Sequence, residues 1–117
     1  MIIKPDKSIS SIADSKLSYV SYNEINYIAF NLATEEYHNE LYEELKDKYG
    51  STMGIKQFDN DYFVNTKGEK KTYPWKGNVN EVSMHTFIRN QIHHRKENGV
   101  ANYSDLKNSI DVMRGFL

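Results

Sequence analysis

The apolar positions of this chain fall into helical registers separated by short polar breaks. Over residues 8–20, Ile9, Ile12, Ala13, Leu17 and Val20 recur at helical spacing, which predicts a helix with Ser8 as N-cap. Ser21-Tyr22-Asn23-Glu24 has capping-box spacing and opens a second register through Ile25, Ile28, Ala29 and Leu32. Thr34 followed by Glu35 and Glu36 is a third start signal, because acids in a first turn complement the helix dipole. Tyr37, Leu41, Leu45 and Tyr49 then make a narrow i, i+4 stripe that reads as core or dimer seam, and Gly50 ends it. Residues 22–49 are expected as two helices, with one helix bent near Asn31 as the alternative.

The pattern changes over 51–77, where Gly54, Gly68, Pro74 and Gly77 punctuate the chain. Tyr62-Phe63-Val64 and Thr72-Tyr73 flank Asn65-Thr66-Lys67-Gly68, so this stretch is expected as a loop or a small hairpin. Helical spacing returns over 79–94 through Val82, Met84, Phe87, Ile88 and Ile92, and stops at Lys96-Glu97-Asn98-Gly99. A last helix runs from about Ser104 with Leu106, Ile110, Met113 and Leu117 on one face. The expected architecture is one all-α domain over 1–117, a bundle of four to five helices with 51–77 inserted.

Composition narrows the function classes. The chain has 117 residues, 38% hydrophobic, with 9 Tyr, 5 Phe and 1 Trp, and the aromatic content argues against disorder. So small and polar a chain builds a thin core, which points to a partner surface. No apolar run approaches the ~20 residues of a membrane span. The start, MIIKPDKSIS, lacks the apolar segment of a secretory signal, and a cytoplasmic location is expected. With 0 Cys there is no disulfide framework and no thiolate chemistry. A net charge of -1 means that any nucleic-acid site is a local patch.

The sharpest chemical signal is Arg89-Asn90-Gln91-Ile92-His93-His94, which reads R-N-x-x-x-H near a helix end. At ~100° per residue, Asn90 pairs with His94 and Arg89 with His93, one turn apart, whereas Arg89 and His94 diverge by ~140° unless the helix end distorts. Spacing alone does not choose between the two pairs. Arg holds phosphate bidentately and His exchanges protons near neutral pH. RNA supplies its own nucleophile, the 2′-OH, so a base and a phosphate clamp suffice for cleavage without metal. The alternative is a solvated helix end complementing the dipole.

Arg89, Asn90 and His94 match the R-(x4–6)-H signature of the HEPN superfamily, and the chain resembles that family in its helical bundle with a late motif. The segments 23–27, 37–42, 88–94 and 103–110 are similar to the C-terminal region of prokaryotic AAA/ABC-type ATPases linked to phage defence. The resemblance implies a HEPN-like fold and a metal-independent endoribonuclease, as toxin or phage-defence effector, acting as a homodimer with both motifs at the interface. It implies Arg89 on the phosphate, Asn90 as positioning group and His94 as general acid/base, with His93 as rival. An ATPase is implied as separate partner or fused domain, since this chain carries no phosphate-binding G-x-x-x-x-G-K-[ST]. Arg95-Lys96 stands where those relatives carry a proline soon after the histidines.

Lys67, Lys70, Lys71 and Lys76 interleave with Tyr73 and Trp75, and with Arg95 and Lys96 form the candidate RNA-binding set; the alternative is a solvated loop with Trp75 in the core. His85, His93 and His94 with Glu81 or Glu97 make a poor metal set, because the pattern is not H-E-x-x-H and adjacent histidines diverge. No metal or cofactor is expected. Glu35, Glu36, Glu40, Glu43, Glu44 and Asp47 read as a solvated face supported by Lys46 and Lys48. Two functions from different classes remain: the ribonuclease, and a non-catalytic helical module that dimerises or docks to a defence ATPase.

Overall fold

The computed structural model describes residues 15–75, 79–94 and 102–117. It is mostly helical: α1 (Tyr22–Phe30), α2 (Glu35–Tyr49), α3 (Ile55–Phe58) running into a π-helix (Asp59–Thr66), α4 (Met84–His93) and α5 (Tyr103–Phe116). A small antiparallel ladder, β1 (Tyr73–Pro74) with β2 (Asn80–Val82), precedes α4. The described residues form a helical bundle with five α-helices, within the four to five expected, although α3 falls in the stretch expected as loop or hairpin. No helix among the described residues is long and apolar enough to cross a membrane.

Helix α2 is the organising element and packs on both α4 and α5, which also pack on each other. Its stripe supplies Tyr37, Leu41 and Leu45, all fully buried, whereas Tyr49 at the end is exposed. Ile88 from α4 and Leu106, Ile110 and Met113 from α5 close the core. Two helices, rather than one bent helix, fill 22–49. Asn31 caps α1 in the left-handed conformation (φ 56°), which Asn tolerates, and its N–H donates to the Tyr27 carbonyl. Thr34 caps α2 by accepting from the Tyr37 N–H.

Three sequence expectations are corrected. The hairpin placed across Asn65–Gly68 is absent, because Tyr62-Phe63-Val64 lies in the π-helix. Aromatic and β-branched residues favour strands, but here burial overrides propensity. Phe58 and Tyr62 stack one turn apart (5.3 Å, 6° between planes), and Phe58 and Phe63 both meet Tyr42 edge-on or tilted. Tyr73 instead pairs with Val82 and packs against Phe87. The helix expected over 8–20 is not formed at 15–20, and its remainder lies outside the described residues. Half of the capping box forms: Ser21 Oγ accepts from the Glu24 N–H, but the Glu24 carboxylate turns inward.

Candidate functional site

Helix α4 places the motif by its two faces. His85, Thr86, Ile88 and Asn90 are buried, Arg89 is half-buried, and His93 and His94 are exposed. The helix starts where Asp59, itself fully buried, accepts from the Ser83 N–H (3.1 Å), Ser83 Oγ and Thr86 Oγ1 (both 2.6 Å). A carboxylate there satisfies the N-cap amide and two hydroxyls at the helix start and suits the helix dipole. The Tyr42 hydroxyl completes this cluster at 2.8 Å from Thr86 Oγ1 and ties α2 to α4.

At the other end, Arg89 Nη1 donates to Asn90 Oδ1 (3.2 Å). Arg89 Nε and Asn90 Nδ2 are buried and have no hydrogen-bond partner among the described residues. His94 leaves helical geometry (φ -132°, ψ 56°), and its amide donates to the Asn90 carbonyl (2.8 Å). His93 stays on the helix one turn from Arg89, and its Nε2 lies 2.8 Å from Asn39 Oδ1 of α2. The His93 pKa lies below the ordinary histidine value, through burial and then the nearby Arg89 charge, with Glu43 opposing. Partial burial and the nearby guanidinium both favour the neutral form of this imidazole. The motif was legible in the sequence; Asn39, 54 residues before His93, carries no local signal that marks it.

The other candidates lie elsewhere. Exposed Lys67 places Nζ over the Tyr62 (5.5 Å) and Phe116 (5.1 Å) rings. Exposed Lys70 and Lys71 precede β1; Lys70 lines a cleft of about 380 Å³ with Glu69, Tyr73 and Met84. That cleft sits at the start of α4, and a helical rise of 1.5 Å per residue puts Met84 about 14 Å from His93. Trp75 is half-buried, with Lys56 Nζ 6.0 Å from its ring. Lys76, Arg95, Lys96 and Glu97 lie outside the described residues. A second cleft, about 360 Å³, lies between residues 15–21 and α1 and shares no residue with the motif.

Glu81 and His85, weighed within the poor metal set, are not paired. Glu81 belongs to β2 and binds Lys56 (2.8 Å), so it shares no helix face with His85. His85 instead meets Glu69 through Nε2 (3.1 Å) and Ser109 Oγ through Nδ1 (2.6 Å), while His38 Nε2 reaches the same Ser109 Oγ (2.8 Å). Among the described residues no three His, Asp or Glu groups are placed to hold a metal ion. The acidic face is also less solvated than expected. Glu44 is buried and accepts from Ser18 Oγ, and Glu40 accepts from Ser21 Oγ (2.7 Å), although Lys48 does support Glu44 (3.6 Å).

Comparison with protein-family models, curated proteins and solved structures gave no match to this chain.

Proposed function

We propose that this chain is a metal-independent endoribonuclease of HEPN type in which Arg89 holds the scissile phosphate and the histidines ending α4 move protons. The observation supporting this most is the pair of buried donors, Arg89 Nε and Asn90 Nδ2, without acceptors among the described residues and near an imidazole whose neutral form is favoured. Each stranded buried donor costs about 1–3 kcal/mol, and phosphate oxygens are the acceptors that relieve it. In the reaction a histidine takes the 2′-OH proton, O2′ bonds to phosphorus, the P–O5′ bond breaks and O5′ is protonated. The product is a 2′,3′-cyclic phosphate. A homodimer bringing two copies of the site into one cleft, and an ATPase as partner or fused domain, belong to the same proposal and rest on the family resemblance.

The test is incubation with total RNA and tRNA in EDTA, with the Arg89→Ala, His94→Ala double variant alongside. Wild type is expected to leave cyclic phosphate ends and the variant to lose at least about 100-fold in rate. Full cleavage by the double variant sinks the assignment.

One observation favours a second reading, a non-catalytic helical interaction module. Apolar side chains on and just before α1 stand open, with Tyr22 84% and Phe30 71% exposed on the helix and Val20 85% exposed ahead of its cap. A helix apolar on both sides is normally covered on both. On this reading His94→Ala alters oligomeric state or partner binding, and loss of RNA cleavage with the assembly intact counts against it.

A further inference from the structure

Resting on the ribonuclease reading, we infer that His93 rather than His94 accepts the 2′-OH proton, and that Asn39 of α2 is its positioning residue. A carboxamide oxygen only accepts hydrogen bonds. With Asn39 Oδ1 at 2.8 Å, His93 Nε2 therefore carries the hydrogen and the neutral ring keeps its lone pair on Nδ1. Asn39 is firmly placed, since Tyr37, His38, Leu41 and Tyr42 around it on α2 are all fully buried. A positioning group mounted on a packed helix holds its partner more closely than one on a loop.

Register points the same way. His93 lies at i+4 from Arg89 on the helix, whereas His94 has left helical geometry. The charged and titratable groups acting on the His93 ring are Arg89 of its own helix, His94 just past the helix end and Glu43 of α2. The step balances. The 2′-OH proton passes to His93 Nδ1, the O2′–P bond forms, the P–O5′ bond breaks, and O5′ takes a proton from water. The imidazolium then returns its proton to solvent.

The experiment follows oligoribonucleotide cleavage in EDTA from about pH 5 to 9, with ¹⁵N NMR of the imidazole nitrogens, across the span where histidine titrates. His93→Ala is expected to lose about 100-fold or more, and His94→Ala to stay within about 10-fold of wild type. Asn39→Ala is expected to lower kcat about 10-fold with KM unchanged, and to turn a single Nε2–H tautomer of His93 into a mixture. Asn39→Asp is expected to restore the rate and move the acidic limb of the pH profile up by about one unit, because a carboxylate favours the imidazolium. Three results overturn the inference: His93 keeping one tautomer in Asn39→Ala, an unmoved limb in Asn39→Asp, or His94→Ala being the dead variant. If wild type cleaves no RNA, the ribonuclease reading and the proton-acceptor role both fall. The ¹⁵N signals of Asn39→Ala then still decide whether Asn39 positions the ring.

Discussion

Glu24 shows how much one side chain can hold. Its carboxylate is 1% exposed and accepts from Ser15 Oγ, the Lys16 and Leu17 amides, the Tyr37 hydroxyl and Arg114. Burial pushes its pKa up, but the hydrogen bonds from Ser15, Tyr37, Lys16 and Leu17 together bring it below the ordinary carboxylate value. A lowered folded pKa gives stability that is present above the unfolded value and lost as pH falls through the folded one. Removing one partner of a buried pair strands the other, so Glu24→Ala is expected to cost about 3 kcal/mol at pH 7, measured by urea unfolding. The expected loss shrinks as pH falls from the ordinary carboxylate value through the lowered folded one, where wild type also gives up the charge. Spacing marked Glu24 as a helix-cap residue and missed the rest, because Tyr37 and Arg114 lie 13 and 90 positions away. The motif residues were legible for the opposite reason: Arg89 through His94 are contiguous, whereas Asn39, which holds His93, is not.

Elements are punctuated by two glycines with different tasks. At Gly50 a Cβ would meet Phe58 Cδ1 at 2.7 Å, so the end of α2 approaches the aromatic cluster more closely than any side chain permits. Gly50→Ala is expected to cost about 1–3 kcal/mol by displacing the Phe58 ring, seen as a lower urea midpoint and changed near-ultraviolet dichroism. Gly68 ends the π-helix at φ +77° with open space around it, so Gly68→Ala is expected to cost about 1 kcal/mol through backbone strain alone. Gly68→Asn, which tolerates this region, should recover part of that loss in the same measurement. Helices α1, α2, α4 and α5 follow from periodicity, but α3 and Asp59–Thr66 do not: both fall in the stretch that reads as loop or hairpin, and its aromatic run reads as strand until Tyr42 is known to lie against it. Asp59 was equally hidden. Its role at the start of α4 depends on Ser83 and Thr86, 24 and 27 residues later.

For the molecule as a whole, the interior is committed to a neutral His38. Burial, and next the neighbouring His85, lowers the His38 pKa to about 3. The unfolded chain therefore binds a proton near pH 6.5 that the folded chain refuses until about pH 3, so stability falls as pH drops through that window. Urea midpoints are expected to decline steadily from pH 6.5 to 4, and His38→Gln to flatten the decline while lowering the midpoint at pH 7. His38 Nδ1 is buried without a partner among the described residues, and an orphaned N–H is rarer than an orphaned lone pair, so the hydrogen sits on Nε2. Ser109 then accepts from His38, and the neutral form of His85 continues the chain by accepting from Ser109 at Nδ1 and donating from Nε2–H to Glu69. Every link points one way, from α2 through α5 and α4 to a half-exposed carboxylate. The arrangement has a sense, like a row of arrows, and its outer end is the handle. Glu69→Lys puts a donor where an acceptor stood, and a single hydroxyl hydrogen cannot serve both rings. The arrows are then expected to reverse together, with ¹⁵N NMR showing His85 and His38 exchanging their protonated nitrogens in one substitution at the rim. A change confined to His85 would show that the two rings are set independently.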